Sequence, residues 1–131
     1  MSLESQQAAR EFIEAFNQRD IDAMVQRTTP GCVITALRSA IEGSFVGHDG
    51  VREWVGGYLE AVPDAKISVE LITAVQGGRV VVLGRQSGTT LGGAPFDGPL
   101  ASLAEVEAGL LKRLTAFSSH AEALEAAGLS E

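Results

Sequence analysis

Residues 66–75 read KISVELITAV, residues 77–78 are Gly77-Gly78, and residues 79–88 read RVVVLGRQSG. Two runs rich in β-branched residues around a diglycine predict a β-hairpin. Working outward, Gly92-Gly93-Ala94-Pro95-Phe96-Asp97-Gly98-Pro99 forms a second turn cluster. Beyond it LASLAEVE (100–107), Ala108-Gly109 and LLKRLTAFSS (110–119) give a second hairpin. A short helix from His120 to Ala127 follows, with Gly128 at its C-terminal cap.

Upstream of residue 66 the period changes from about 2 residues to about 3.6. Val51, Trp54, Val55, Tyr58, Leu59 and Val62 recur at helical spacing, and Pro63-Asp64 ends that helix. Before it, Phe45 to Gly50 reads as loop, as do Ser39, Glu42, Gly43 and Ser44, and CVITAL (32–37) as a short strand. Residues 3–17 are amphipathic, with Ala8, Phe12, Ala15 and Phe16 on one face and Ser2 placed to cap the start. Asp20 caps a second helix over 21–27, which Thr28-Thr29-Pro30-Gly31 terminates. Helices come first and antiparallel strands later, which predicts an α+β fold rather than an alternating one. The expected architecture has about three N-terminal helices, one short strand, four strands in two hairpins and a short C-terminal helix.

The chain has 131 residues, a net charge of −7 and one cysteine. That length fits one domain spanning 1–131, able to bury about two-thirds of its unfolded surface without metal or disulfide. A single Cys32 permits no internal disulfide and points to a reducing compartment. MSLESQQAAREF lacks the basic and apolar regions of a signal peptide, and no apolar run is long enough to span a membrane. A cytoplasmic location is therefore expected. Scattered Lys and Arg within an acidic chain argue against nucleic acid as a partner. His48, His120 and Cys32 lie too far apart in sequence for metal-ligand spacing, and the diglycines match no phosphate-binding motif. Neither a metal nor a cofactor is expected.

Three stretches carry a resemblance: AREFIEAFNQRDIDAMVQ, FVGHDGVREWVGGYLEAVPD and LTAFSSHAEALEAAGL. Together they resemble the SnoaL-like group of the nuclear transport factor two-like superfamily over nearly the whole chain. The resemblance implies a cone-shaped curved antiparallel sheet wrapped around a long helix, the cystatin-like α+β barrel. It also implies a pocket at the open end and often a homodimer through the sheet face. It does not imply one activity, since such folds host isomerases, hydrolases, dehydratases, cyclases and binding proteins.

Ketosteroid isomerases of this superfamily need a tyrosine, an aspartate base and a protonated acid; by resemblance those positions fall at Phe12, Ala36 and Ala101, which supply none of them. The Asp-Arg-Asp set of limonene-epoxide hydrolases would fall at Arg85, Ser87 and Ala116, retaining the arginine and losing both acids. The strands from 79 to 91 and from 110 to 118 contain no Asp or Glu in any alignment. Polyketide cyclases of the SnoaL type use an acidic base, for which the strand acids are Glu70, Glu105 and Glu107; Glu105 shares its parity with Ala101 and Leu103.

The expected pocket set is Phe12, Phe16, Thr35, Trp54, Tyr58, Leu83, Arg85, Ser87, Ala101 and Leu103, with Val33 also lining the cone. Arg85 reads in two ways, as an inward binder of a carboxylate, enolate or carbonyl oxygen, or as a residue of the exposed or dimer face. His48 is either a titratable group near the mouth or a backbone-bonded shaper of the third helix, with Asp49 as cap. Trp54 and Tyr58 pack the third helix onto the sheet, and a buried Tyr58 phenol needs a partner. His120 reads as an exposed cap and Cys32 as core. The leading expectation is a binder of a small apolar or aromatic molecule, with Arg85, Glu105 and His48 as candidates should it be an enzyme. The rival is a dimerisation or interaction module whose cone is filled by its own side chains.

Overall fold

A computed structural model describes residues 2–36 and 43–129. Its element order is α1 (Ser2–Asn17), α2 (Ile21–Gln26), β1 (Thr28–Thr35), β2 (Phe45–Val46), α3 (Gly47–Ala61), β3 (Lys66–Val75), β4 (Arg79–Thr89), β5 (Pro95–Glu107), β6 (Leu110–Phe117) and α4 (His120–Ala126). The six strands form one curved sheet in the order β2-β1-β6-β5-β4-β3. The fold is the expected α+β arrangement. All pairings are antiparallel except β1 with β6, which is parallel.

The β3–β4 hairpin turns at Gly77 and Gly78, both at positive φ. A Cβ on Gly78 would stand 2.8 Å from the Val106 carbonyl oxygen, so this turn also admits β5 at close range. Curvature comes from register shifts between Val69 and Leu71 and between Glu105 and Val106. Gly84 contributes as well, since a Cβ there would collide with the Ser68 carbonyl of β3.

Several boundaries differ from the sequence reading. β1 begins at Thr28 and runs through Pro30 and Gly31, residues expected only to terminate the second helix ahead of a strand starting at Cys32. Its pairing with β6 shifts between Thr28 and Val33, and that irregularity accommodates the proline. Likewise β5 starts at Pro95. Among the described residues, 95–100 pair only with β4, because β6 ends at Phe117 opposite Ala101, and a strand without a described partner on one edge tolerates Pro95 and Pro99. Phe45-Val46 is a two-residue strand, and α3 begins at Gly47, which places Asp49 in its first turn rather than at its cap. The expectations for Leu37, Ser39 and Glu42 fall outside the described residues.

Caps form largely as the sequence indicates. The Asp20 carboxylate accepts from the Ala23 amide at 3.1 Å. Gly128 takes φ of 80° behind α4, with the Leu129 amide donating to the Leu124 carbonyl at 2.8 Å. At the start of α4 the cap is Ser119, not His120, and its hydroxyl accepts from the Glu122 amide.

Two apolar clusters result, one on each face of the sheet. The larger joins α1, α3 and the inner face through Phe12, Phe16, Val51, Val55, Val80 and Val82. The smaller, on the outer face, packs Val81, Leu83 and Ala101 against Ala123 and Ala127 at α4. The outer edge of β3 is held by α1. The Asn17 carboxamide donates to the Ile67 carbonyl at 2.8 Å and accepts from the Ile67 amide at 2.9 Å, a side-chain imitation of strand pairing.

Candidate functional site

Between the inner face of the sheet and the helices α1 and α3 lies a cavity of about 380 Å³. Helical spacing builds two of its walls. Phe12 and Phe16 project from successive turns of α1, and Trp54 and Tyr58 do the same from α3. The rings meet in pairs: Phe12 and Trp54 lie nearly parallel with centroids 6.3 Å apart, and Phe16 and Tyr58 lie 5.6 Å apart. Both separations lie within the range in which aromatic rings attract beyond their area burial. Ala9 and Ile13 complete the α1 wall.

The sheet supplies the opposite wall through alternate residues. On β4 these are Val82 and Gln86, on β5 Phe96, Leu100, Ser102 and Ala104. From β1 and β6 come Ile34, Thr35, Leu114 and Ala116, with Ala36 just after β1 and Phe117 at the end of β6. Among the described lining residues none carries a carboxyl, imidazole, ammonium, guanidinium or thiol group. Polarity is confined to a few neutral groups. The Tyr58 hydroxyl donates to Gln86 Oε1 at 2.6 Å. Burial raises the phenol above its ordinary pKa, an effect partly offset by the positive charge of Arg19, so Tyr58 is a neutral donor near pH 7. Ser102 is buried, and the Thr35 hydroxyl lies 3.1 Å from that of Ser44.

Arg19 braces this wall from outside. Its guanidinium lies 5.4 Å from the Phe16 ring centroid and donates to the carbonyls of Phe16, Pro63 and Ala65, tying the end of α1 to the approach to β3.

The structure brings Phe12, Phe16, Thr35, Trp54 and Tyr58 together around the cavity. It places Leu83, Arg85, Ser87, Ala101, Leu103 and Val33 elsewhere. The expected strand parity is off by one residue, and such a slip reverses the face. Leu83 and Ala101 belong to the outer cluster, with Leu103 packed against it. Arg85 is half exposed; its Nε donates to Asp97 Oδ1 at 2.9 Å, and of its two readings the outward one holds. In the ketosteroid isomerase correspondence, the cavity-facing β5 residues are therefore Leu100 and Ser102 rather than Ala101. In the epoxide hydrolase correspondence, Gln86 faces inward where Arg85 and Ser87 were considered.

The remaining candidates are engaged outside the cavity. Glu105 pairs with Arg113 at 3.5 Å and Glu107 with Lys112 at 3.8 Å. Glu70 is exposed at the bulge of β3. His48 Nε2 lies 3.2 Å from the Thr28 carbonyl oxygen, the arrangement in which it shapes the entry to α3. His120 Nε2 lies 2.9 Å from the Gly84 carbonyl oxygen on the outer face. Cys32 is fully buried, and burial pushes its thiol up to about 11. Among the described residues no group of three His, Cys, Asp or Glu is placed to hold a metal ion, and no helix is long and apolar enough to cross a membrane.

Sequence reasoning passed over most of the sheet wall, including Phe96, Leu100 and Ser102, and the polar residue it missed with a visible signal is Gln86. The available signal was Tyr58: a buried phenol on a helix facing a sheet requires an acceptor on that sheet.

Comparison with known proteins fits this geometry. Solved structures with the same fold include TerC co-crystallised with polyporic acid, at 19% identity and a TM-score of 0.79, covering 93% of this chain and 96% of that one. An NTF2-like protein of unknown function from Burkholderia pseudomallei K96243 superposes at 0.80 with 23% identity, covering 97% and 98%. A SnoaL-like polyketide cyclase, so described provisionally, from Jannaschia sp. CCS1 gives 0.77 and 18%, covering 99% and 94%. Comparison with curated proteins yields no match. The family model for the SnoaL-like domain matches residues 9–114, and the chain belongs to that family.

Proposed function

We propose that this protein binds a small, uncharged, largely apolar or aromatic molecule inside its cone. The observation that carries the reading is the cavity of about 380 Å³ with aromatic walls and no ionisable group, other than the Tyr58 phenol, among its described lining residues. Ligand sites begin near roughly 300 Å³ and combine apolar walls with a few placed polar groups. A cone filled by its own side chains would leave far less space, which weighs against the interaction-module reading. Two structures of the same fold were solved with small molecules, polyporic acid in one and trimethylamine in another, and by analogy they support a small molecule in such a cone, while the neutrality of the ligand rests on the lining alone.

The same lining argues for binding rather than acid–base turnover. A proton carrier must reach its substrate within hydrogen-bond distance. Arg85, Glu105 and His48 are engaged with partners outside the cavity, and Tyr58 is a raised, neutral phenol. A charged ligand is disfavoured for a related reason, because an unpaired ion in an apolar cavity bears a large desolvation cost. The homodimer implied by the family and a cytoplasmic location belong to this proposal as well, and light scattering on the purified protein tests the first.

Thermal melting against matched neutral and carboxylated aromatic compounds tests the binding reading. A ligand at about a hundred times its dissociation constant adds roughly 2.7 kcal/mol. For a chain of this length that raises the midpoint by about 10 °C. Neutral members are expected to stabilise and their carboxylates to fail. Stabilisation by carboxylates alone, or by nothing in a broad panel, would overturn it.

A further inference from the structure

Resting on that binding reading, we infer that the Gln86 carboxamide, held in orientation by Tyr58, takes a hydrogen-bond acceptor on the ligand, and that the ligand class is a flat, neutral aryl ketone.

The inference starts from the hydrogen-bonding inventory of the pair. Tyr58 has one hydroxyl proton and gives it to Gln86 Oε1 at 2.6 Å. A carboxamide offers an acceptor oxygen and two N–H donors. With the oxygen engaged, both donors on Nε2 remain without a protein partner among the described residues. Tyr58 thus does more than pack. It fixes which end of the carboxamide faces the helix, and so turns the donor end toward open space.

That space has a definite shape. Gln86 pairs directly with Gly98 across the β4–β5 ladder, and directly opposed residues share a face of the sheet. A Cβ built on Gly98 would meet nothing within 4 Å. The cross-strand neighbour of Gln86 is therefore an open floor. Phe96 and Leu100, two residues to either side of Gly98, line the cavity and wall the slot. Phe16 stacked on Tyr58 closes the helix side. A planar ring lying over Gly98, between Phe96 and Leu100, brings a ring-attached oxygen toward Gln86 Nε2.

The acceptor must be neutral and must lack a proton of its own to place. A carboxylate would bring a charge that no described lining residue balances. A hydrocarbon would leave the Nε2 donors unsatisfied once water is expelled, at a cost comparable to a lost hydrogen bond. A ketone conjugated to an aromatic ring meets both conditions. Its ring suits the Phe96 and Phe16 walls, and its oxygen accepts from Nε2.

The test compares 1-tetralone with tetralin, two bicyclic compounds of nearly the same outline that differ in the carbonyl. Dissociation constants are measured by NMR titration of the isotopically labelled protein, with Trp54, the sole tryptophan, as a second reporter from the cavity wall. The wild type is expected to bind 1-tetralone about tenfold more tightly, the difference one net hydrogen bond makes. Gln86→Leu should erase that preference. Gln86→Met keeps the length, removes both donors, and should erase it too. Tyr58→Phe should reduce it while leaving Gln86 in place. Circular dichroism on each variant establishes that it has folded. Equal wild-type affinity for the two compounds, or a preference that survives both Gln86 variants, would overturn the assignment and leave the binding reading intact. Failure of the wild type to bind either compound would overturn both.

Discussion

Ala116→Leu separates stability from binding, and its outcome follows from where the residue sits. Ala116 lies on β6 opposite Ser102 of β5, is partly exposed, and faces the cavity. Leucine adds three carbons at this point. Burying each contributes about 0.8 kcal/mol, or roughly 2.4 kcal/mol if all three leave water. Ordering the longer side chain costs about 0.5–1 kcal/mol. The net gain is about 1.5 kcal/mol. An unfolding entropy of about 2.1 cal/mol/K per residue gives a chain of this length roughly 0.28 kcal/mol per degree, so Tm should rise by about 5 °C. The added side chain occupies part of the ligand space, so the stabilisation by a neutral aromatic ligand should shrink in the same variant. Differential scanning calorimetry, with and without 1-tetralone, measures both effects. A native circular dichroism spectrum with a Tm several degrees below the wild type would show that the side chain had met atoms rather than space. Overpacking costs about 1–3 kcal/mol. That result would refute the open cone and favour the self-filled one.

Two further outcomes test the frame of the site. Asn17→Ala removes both side-chain hydrogen bonds to the backbone of Ile67 and should cost about 1–3 kcal/mol, with faster hydrogen exchange at the Ile67 amide; unchanged exchange there would show that the edge of β3 needs no such clamp. The Asp64 carboxylate accepts from the Thr89 amide at 2.6 Å, which holds its pKa below the ordinary aspartate value. Because the folded value is depressed, its contribution is present above the unfolded pKa of about 3.9 and is lost as pH falls through the lower folded one. Asp64→Ala should therefore flatten the dependence of Tm on pH below about 4 relative to the wild type, and an unchanged slope would remove Asp64 from the account.

The helical walls were legible because each helix buries one face. Phe12 and Phe16, then Trp54 and Tyr58, recur at one-turn spacing among polar neighbours, so their direction follows from periodicity alone. The long hairpin was legible for a similar reason, with β-branched runs around a diglycine. What escaped was the behaviour of proline in this sheet. Pro30, Pro95 and Pro99 read as breaks, yet all three lie in strands, at a register shift or along a half-free edge. Local sequence cannot show that a strand lacks a neighbour on one side. β2 was invisible because two residues carry no period.

Which face of β4 and β5 lines the cavity was not legible, and the reason is α4. Its Ala123, together with Ala127 just beyond it, packs on Val81, Leu83 and Ala101, so Val80 to Leu83 are buried on both faces and alternation disappears. Without alternation, Arg85 attracted the assignment that belongs to its neighbour Gln86. Arg85 and Asp97 instead pair on the outer face, half in water, where such ion pairs contribute little to stability. The exclusion of acid-dependent chemistries does not depend on that face. β4 and β6 contain no Asp or Glu in either parity, an argument from content rather than direction. The direction then extends it. On β5 the inward residues are Phe96, Leu100, Ser102 and Ala104, which turns Asp97 and Glu105 outward by alternation, and Glu70 is exposed at the β3 bulge. The described sheet thus faces its cavity with hydrocarbon, one carboxamide and hydroxyls. A cone built this way can recognise a neutral molecule by shape and by one well-placed donor, and the carboxamide of Gln86 is that donor.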